Sequence, residues 1–160
     1  MKRHPALQDL SRDHHVVLRY CQRIRRAAPA EAAALAAEFL AFYATDMAPH
    51  FEEEDRFVVP AARATGRPHL VGVADEVHDD HEWFEARFEA MAASGDEAAA
   101  IMAQVEARLT RHVRMEEEDL FEGVQEALTE EAMQALWRDS FAYRSTHRVA
   151  AACTVRPGKD

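Results

Sequence analysis

The chain has 160 residues, 48% of them hydrophobic, and 29 acidic against 19 basic side chains, a net charge of −10. That length supports one well-buried core and is too short for two ordinary domains. The acidic balance argues against a nucleic-acid partner, because no basic stripe is left to neutralise phosphates, and no stretch approaches the roughly 18 apolar residues that span a bilayer.

With five glycines, six prolines and long Ala/Glu/Arg/Leu stretches, helix is expected over sheet. A first helix is predicted from Ala6 to Ala28, its apolar stripe at Leu7, Leu10, Val17, Cys21 and Ile24. His14 fills the gap in that stripe, and His15 lies a hundred degrees round it, toward an edge or solvent. The basic run Arg19 to Arg26 reads as a solvated face. A second helix is predicted over Ala30 to Val59, with Phe39, Tyr43, Met47 or Asp46, His50, Glu54 and Phe57 along one face. Pro49 removes a helical hydrogen bond just before His50, so a kink or break is expected there. Residues Arg63 to Pro68 read as a loop.

The third predicted helix, Leu70 to Ala93, aligns Val77, His81, Phe84, Phe88 and Met91, and Ser94-Gly95-Asp96 stops it. The fourth, Asp96 to Ala127, aligns Met102, Val105, Leu109, His112, Glu116 and Leu120. Thr129 followed by Glu130 and Glu131 marks the N-terminus of a shorter fifth helix reaching about Val149. The expected fold is therefore all-α: an antiparallel up-down-up-down four-helix bundle with an additional short C-terminal helix. Residues 1–150 form the domain and 151–160 a flexible tail.

Every one of the four long helices carries a histidine on its inner stripe, and two carry the same longer motif. His50-x3-Glu54 and His112-x3-Glu116 stand 62 residues apart. An imidazole and a carboxylate four positions apart share one helix face, one turn from each other. Each pair is followed by an acid, Asp55 or Glu117, and preceded at a distance by a histidine, His14 or His81. Burying four imidazoles and two carboxylates in an apolar bundle is costly unless they are paired or bind metal. The candidate ligands are thus His14, His50, Glu54, His81, His112 and Glu116, with His78 and His15 as additional candidates. Nitrogen and oxygen donors without thiolates suit Fe, Mn, Zn or Co. Six donors exceed the four of a lone structural zinc and favour two metals, which carboxylates from opposite helices could bridge. Cys21 and Cys153 lack the spacing of a zinc-thiolate site and read as idle thiols in a reducing compartment. The Met1–Pro5 segment has no apolar secretory run, so a cytoplasmic protein is expected.

These motifs resemble those of the hemerythrin-like, or HHE cation-binding, family, over about Leu7 to Val124. The resemblance implies a four-helix bundle with an oxo- or hydroxo-bridged centre of two Fe ions. It makes Glu54 and Glu116 the bridging carboxylates and His14, His50, His81 and His112 terminal ligands. Zn or Mn would be substitutes. Oxygen-carrying hemerythrins place two histidines four apart on the third helix and use an Asp as second bridge. Here His78 and His81 are three apart, and Glu116 stands for the Asp, implying a more open site. The proline expected after the second motif is Glu122, whereas the first copy keeps Pro60.

The expected function is binding or sensing of a small ligand (O2, NO, peroxide, or iron itself) at a binuclear non-haem centre. The alternatives are a di-iron enzyme with oxidase, peroxidase-like or NO-linked iron-centre repair activity, or metal storage and delivery. Homodimerisation is left open by the sequence. Tyr43 is expected to hydrogen-bond near the site, and Trp83 and Trp137 to pack or to meet the fifth helix.

Overall fold

The computed structural model describes residues 2–147. The predicted tail 151–160, the last turn of the fifth helix to Val149, and Cys153 lie outside the described residues. Every regular element among the described residues is helical. Helix α1 (Pro5–Arg26) starts with proline at its first position, where the missing N–H costs nothing, and the His4 imidazole accepts from the Ala6 amide. Residues 32–64 form one long irregular helix: α2 (Ala32–Phe42), a π turn (Tyr43–Met47), α3 (Ala48–Glu53), a second π turn (Glu54–Val58) and α4 (Val59–Ala64). Gly66, at φ 63, turns the chain into α5 (Pro68–Ala93). Gly95, at φ 55, opens the turn to α6 (Ala98–Met115), which continues through a π turn (Glu116–Leu120) into α7 (Phe121–Ala127). Helix α8 (Glu130–His147) comes last, with the Thr129 hydroxyl accepting from the Ala132 amide.

The expected kink at Pro49 is a widened turn. A π turn closes with the Ala48 N–H on the Tyr43 carbonyl, one residue before Pro49, and another with the Val59 N–H on the Glu54 carbonyl, one residue before Pro60. Proline has no N–H to return and needs room beside the carbonyl four residues back, which the wider turn supplies. Each π turn adds a residue and rotates the helix beyond it. Met47 therefore takes the inner face and Asp46 is exposed, while Val58 is fully buried and the expected Phe57 only partly.

The core divides into two apolar clusters. One gathers Leu7, Leu10, Val58, Leu70, Val77, Leu120 and Phe121, and the other Val17, Cys21, Phe39, Met47, Phe84, Phe88, Met91 and Leu109. Between Leu10 and Val17 comes His14, between Met47 and Val58 come His50 and Glu54, between Val77 and Phe84 comes His81, and between Leu109 and Leu120 come His112 and Glu116. A polar layer thus crosses the core where each of the four long helices passes from one cluster to the other. Helix α8 packs on the outside, against α1 and α3, where the Arg144 guanidinium reaches both Asp13 and the buried Glu53 at 2.9 and 2.8 Å. No helix among the described residues is long and apolar enough to cross a membrane.

Candidate metal centre

Both His-x3-Glu motifs have the same local structure. The Glu54 amide donates to the carbonyls of His50 and Phe51, and Glu54 then opens a π turn closed by Val59. The Glu116 amide donates to His112 and Val113, and Glu116 opens a π turn closed by Phe121. The second copy has Glu122 where the first has Pro60, so proline is not what the two widened turns share. They share the glutamate. Such single turns concentrate at functional sites because they re-aim one side chain without ending the helix.

The six predicted side chains converge, and all are buried, Glu54 and Glu116 to 0% exposure. His50 Nε2 stands 3.2 Å from Glu54 Oε2, and His112 Nε2 3.0 Å from Glu116 Oε1, each across one helical turn. The other contacts cross between helices. His14 Nε2 lies 3.1 Å from Glu116 Oε2 and 3.1 Å from His50 Nε2. His81 Nε2 lies 3.5 Å from both Glu54 and Glu116. Two donor groups result, His14–His50–Glu54–Glu116 and His81–His112–Glu116, with Glu116 common to both. All four carboxylate oxygens of Glu54 and Glu116, both ring nitrogens of His81 and Nε2 of His112 lack a hydrogen bond among the described residues. Orphaned buried oxygens cost several kcal/mol in an apolar layer, roughly 1–3 each at the low end. Lone pairs aimed at a common centre fit a bound cation.

A ring of acids holds the imidazoles from outside. Asp13 meets His50 Nδ1 at 3.1 Å, Glu117 meets His14 Nδ1 at 2.7 Å, Asp55 meets His81 Nδ1 at 3.2 Å, and Asp80 meets His112 Nδ1 at 3.0 Å. At His14, His50 and His112 the carboxylate hydrogen-bonded to Nδ1 fixes the tautomer that leaves the Nε2 lone pair for a metal. Asp55 stands within ion-pair distance of His81 Nδ1, which has no hydrogen bond among the described residues. Cations back these acids in turn: Arg144 on Asp13 at 2.9 Å, Arg3 on Glu117 at 2.6 Å and Arg108 on Asp80 at 2.6 Å. Asp55 is backed by His78, whose Nδ1 is 3.0 Å away.

Electrostatics follow from this packing. Burial alone would push the His14 imidazole below its ordinary value, but Glu116, Glu117 and Glu54 outweigh it and hold it well above. Burial is likewise overridden at His81 by Asp55, Glu116 and Glu54, at His50 by Glu54 and Asp13, and at His112 by Glu116 and Asp80. Burial would raise both Glu54 and Glu116, and repulsion by Glu116 would raise Glu54 further, yet the surrounding imidazoles keep both below the usual carboxylate range. Without metal, protons on the imidazoles therefore balance the two carboxylates, and a cation would take their place.

The sequence matches the hemerythrin HHE cation binding domain over residues 6–124. The chain belongs to that family. Comparison with curated proteins and with solved structures gave no match. The hemerythrin HHE match covers all four long helices and both His-x3-Glu motifs.

Of the additional candidates, neither joins the cluster. His15 is exposed on the outer face of α1. The His78 ring pairs with Asp55 and stands 3.8 Å from Glu82, on the outer side of Asp55 and outside the donor groups at the centre. Tyr43 stacks on Phe88 at 3.9 Å instead of hydrogen-bonding at the site. Its hydroxyl is pushed up to about 12 by burial and by Glu85 and Glu89. Trp83 packs beneath Arg108, 4.4 Å from its ring, whereas Trp137 is 40% exposed and stacks on Phe141. Cys21 is buried, its thiol pushed up to about 11 chiefly by that burial. Among the basic run, Arg23 pairs with Glu38 at 2.7 Å and Arg25 with Glu106. The positioning acids Asp13 and Asp80 were missed in the sequence, although a signal existed: each upstream histidine is preceded by Asp, in Asp13-His14 and Asp80-His81.

Proposed function

We propose that this hemerythrin HHE protein is a binuclear non-haem metal protein, a di-iron protein by its family and with donors that suit iron, that binds a small ligand such as O2, NO or peroxide. The observation that carries the reading is the pair of buried, hydrogen-bond-orphaned carboxylates Glu54 and Glu116, set between two histidine pairs. In this reading Glu54 and Glu116 bridge, His14 and His50 hold one metal, and His81 and His112 hold the other. The order in which the helices pass between the two apolar clusters alternates from one helix to the next, which supports an antiparallel up-down-up-down bundle around the centre.

Two imidazoles and shared carboxylates leave each metal short of the six donors that iron commonly accepts, so a small exogenous ligand has a place to bind. Bound iron would supply reversible coordination of that ligand and electrons for its reduction. The chain's own residues do the rest. The Nδ1 carboxylates orient the imidazoles, and the apolar clusters exclude bulk water. A cavity of about 40 Å³ beside His50, lined by Asp13, Val17, Phe42, Asp46 and Met47, has room for a diatomic molecule. The proposed setting is cytoplasmic, where thiols stay reduced.

Metal content per chain, measured with an optical spectrum on anaerobically purified protein before and after air, tests this. Two irons with near-ultraviolet bands that appear on oxidation are expected. One zinc or no metal, with helix content unchanged by a chelator, would overturn the reading in favour of a structural or vestigial site.

A further inference from the structure

Three of the four carboxylates that hold the imidazoles have an arginine as outer partner: Asp13 has Arg144, Glu117 has Arg3 and Asp80 has Arg108. Asp55 is the exception. Its outer partner is His78, 38% exposed, on the floor of a cleft of about 650 Å³ between α5 and the irregular helix 32–64. The buried His81 lines the same cleft, 4% exposed, and its Nε2 has no hydrogen bond among the described residues. Above it, His78, Glu82, Glu85 and Glu89 succeed one another at helical spacing of four, three and four along α5, a rail of about 16 Å at 1.5 Å per residue. Glu82 and Glu85 line the cleft directly. Arg56 also lies there, but it is taken by Glu52 at 3.0 Å and by the Tyr143 ring at 5.5 Å.

We propose that this cleft is the loading groove for the metal centre: Glu82 and Glu85 collect a hydrated divalent cation, His78 and Asp55 pass it inward, and His81 is the first ligand it reaches. The inference rests on the metal-centre reading above. On three faces the holding carboxylate is paired with an arginine, whereas the fourth presents Asp55, Glu82 and Glu85 with His78, and the His81 ring behind them points its Nε2 on to Glu54 and Glu116. Walls of one sign of charge focus field lines and raise the local cation concentration.

The test is the rate at which chelator-stripped protein takes up Co²⁺, followed by its visible absorption in a stopped-flow instrument at low and high salt. E82Q/E85Q is expected to load about three- to tenfold more slowly than the parent protein at low salt. It should reach the same final stoichiometry and respond less to salt. D96N/E97Q removes the same charge from the turn beyond α5 and should load at the parent rate. H78R, which copies the arginine pairing of the other three faces, should also slow loading. Equal rates for E82Q/E85Q and the parent would overturn the proposal, as would equal slowing by D96N/E97Q, which would mark a net-charge effect. A lowered final stoichiometry in E82Q/E85Q would make those residues ligands and overturn it too. Failure of the parent itself to take up Co²⁺ would instead overturn the metal-centre reading on which it rests.

Discussion

Asp80→Asn should separate what positions a ligand from what holds the fold. Asp80 is fully buried and spans the two jobs, accepting from His112 Nδ1 at 3.0 Å and from Arg108 Nε at 2.7 Å and Nη2 at 2.6 Å. Burial would raise its pKa, but His112 and Arg108 outweigh it and keep the carboxyl below its ordinary value. Asparagine preserves the shape and offers one acceptor oxygen to His112, Arg108 and the more distant Arg111, without the charge. Losing an outer carboxylate of this kind weakens metal binding by roughly 10- to 100-fold, about 1.4–2.7 kcal/mol. Arg108 is not stranded, since it is a third exposed and lies over the Trp83 ring. The fold should therefore lose no more than about 1–3 kcal/mol. Competition with a chromophoric chelator gives the affinity, and thermal unfolding of the metal-free protein gives the stability. Asp79→Asn, at the exposed neighbouring position, is the control and should change neither. If D80N bound metal as tightly as D79N, the reasoning that Asp80 sets the His112 tautomer would be refuted.

Glu54→Ala combined with Glu116→Ala should abolish binuclear binding and leave much of the helix content; two metals per chain by elemental analysis would refute the bridging assignment. His15→Ala should leave equilibrium metal content unchanged, since that ring is exposed on the outer face of α1, and a loss would place it among the ligands. Phe84→Ala should cost about 3–5 kcal/mol, because Phe84 is fully buried against Phe51 and His112, and a melting temperature within a degree of the parent would count against that packing. The four raised histidines stabilise the metal-free fold fully below the ordinary value of 6.5 and lose that contribution as pH rises through their folded values. The lowered Glu54 and Glu116 stabilise above the ordinary 4.5 and lose their contribution as pH falls below it. The melting temperature of metal-free protein should thus fall from about pH 6.5 upward, and less so once metal has replaced the protons; a rise over that range would contradict the charge balance described.

The inner stripes were legible because each long helix keeps its period up to the motif. Leu7, Leu10, Val17, Cys21 and Ile24 on α1, and Val77, Phe84, Phe88 and Met91 on α5, are buried as their spacing requires. The period failed at one π turn, the one that follows Glu54, whereas Leu120, expected beyond Glu116, is buried. Pro49 and Pro60 announce two of the π turns, and a fixed 3.6-residue repeat carried past Glu54 lands on Phe57 when the core takes Val58. The turn at Glu116 has no proline to announce it. His78 looked eligible because it is a histidine near His81, and both rings reach Asp55, but His78 does so from the exposed side and His81 from the buried one. Asp13 and Asp80 passed as ordinary helix acids because their partners, His50 and His112, sit on other helices, which no local spacing reveals.

The acids also explain why the two halves act as one centre. Written out, each half reads Asp-His, then His-x3-Glu-acid: Asp13-His14 with His50 to Asp55, and Asp80-His81 with His112 to Glu117. The first acid of each half holds that half's own second histidine, Asp13 on His50 and Asp80 on His112. The last acid crosses over, Asp55 to His81 and Glu117 to His14. Each half therefore orients one of its own ligands and one of its partner's, and Glu116 touches histidines from both. A defect in either half is felt across the pseudo-twofold, so substitutions at Asp55 and Glu117 should couple non-additively in metal affinity although they stand on different helices. The duplication in the sequence is thus not two sites placed side by side. It is one site whose halves complete each other.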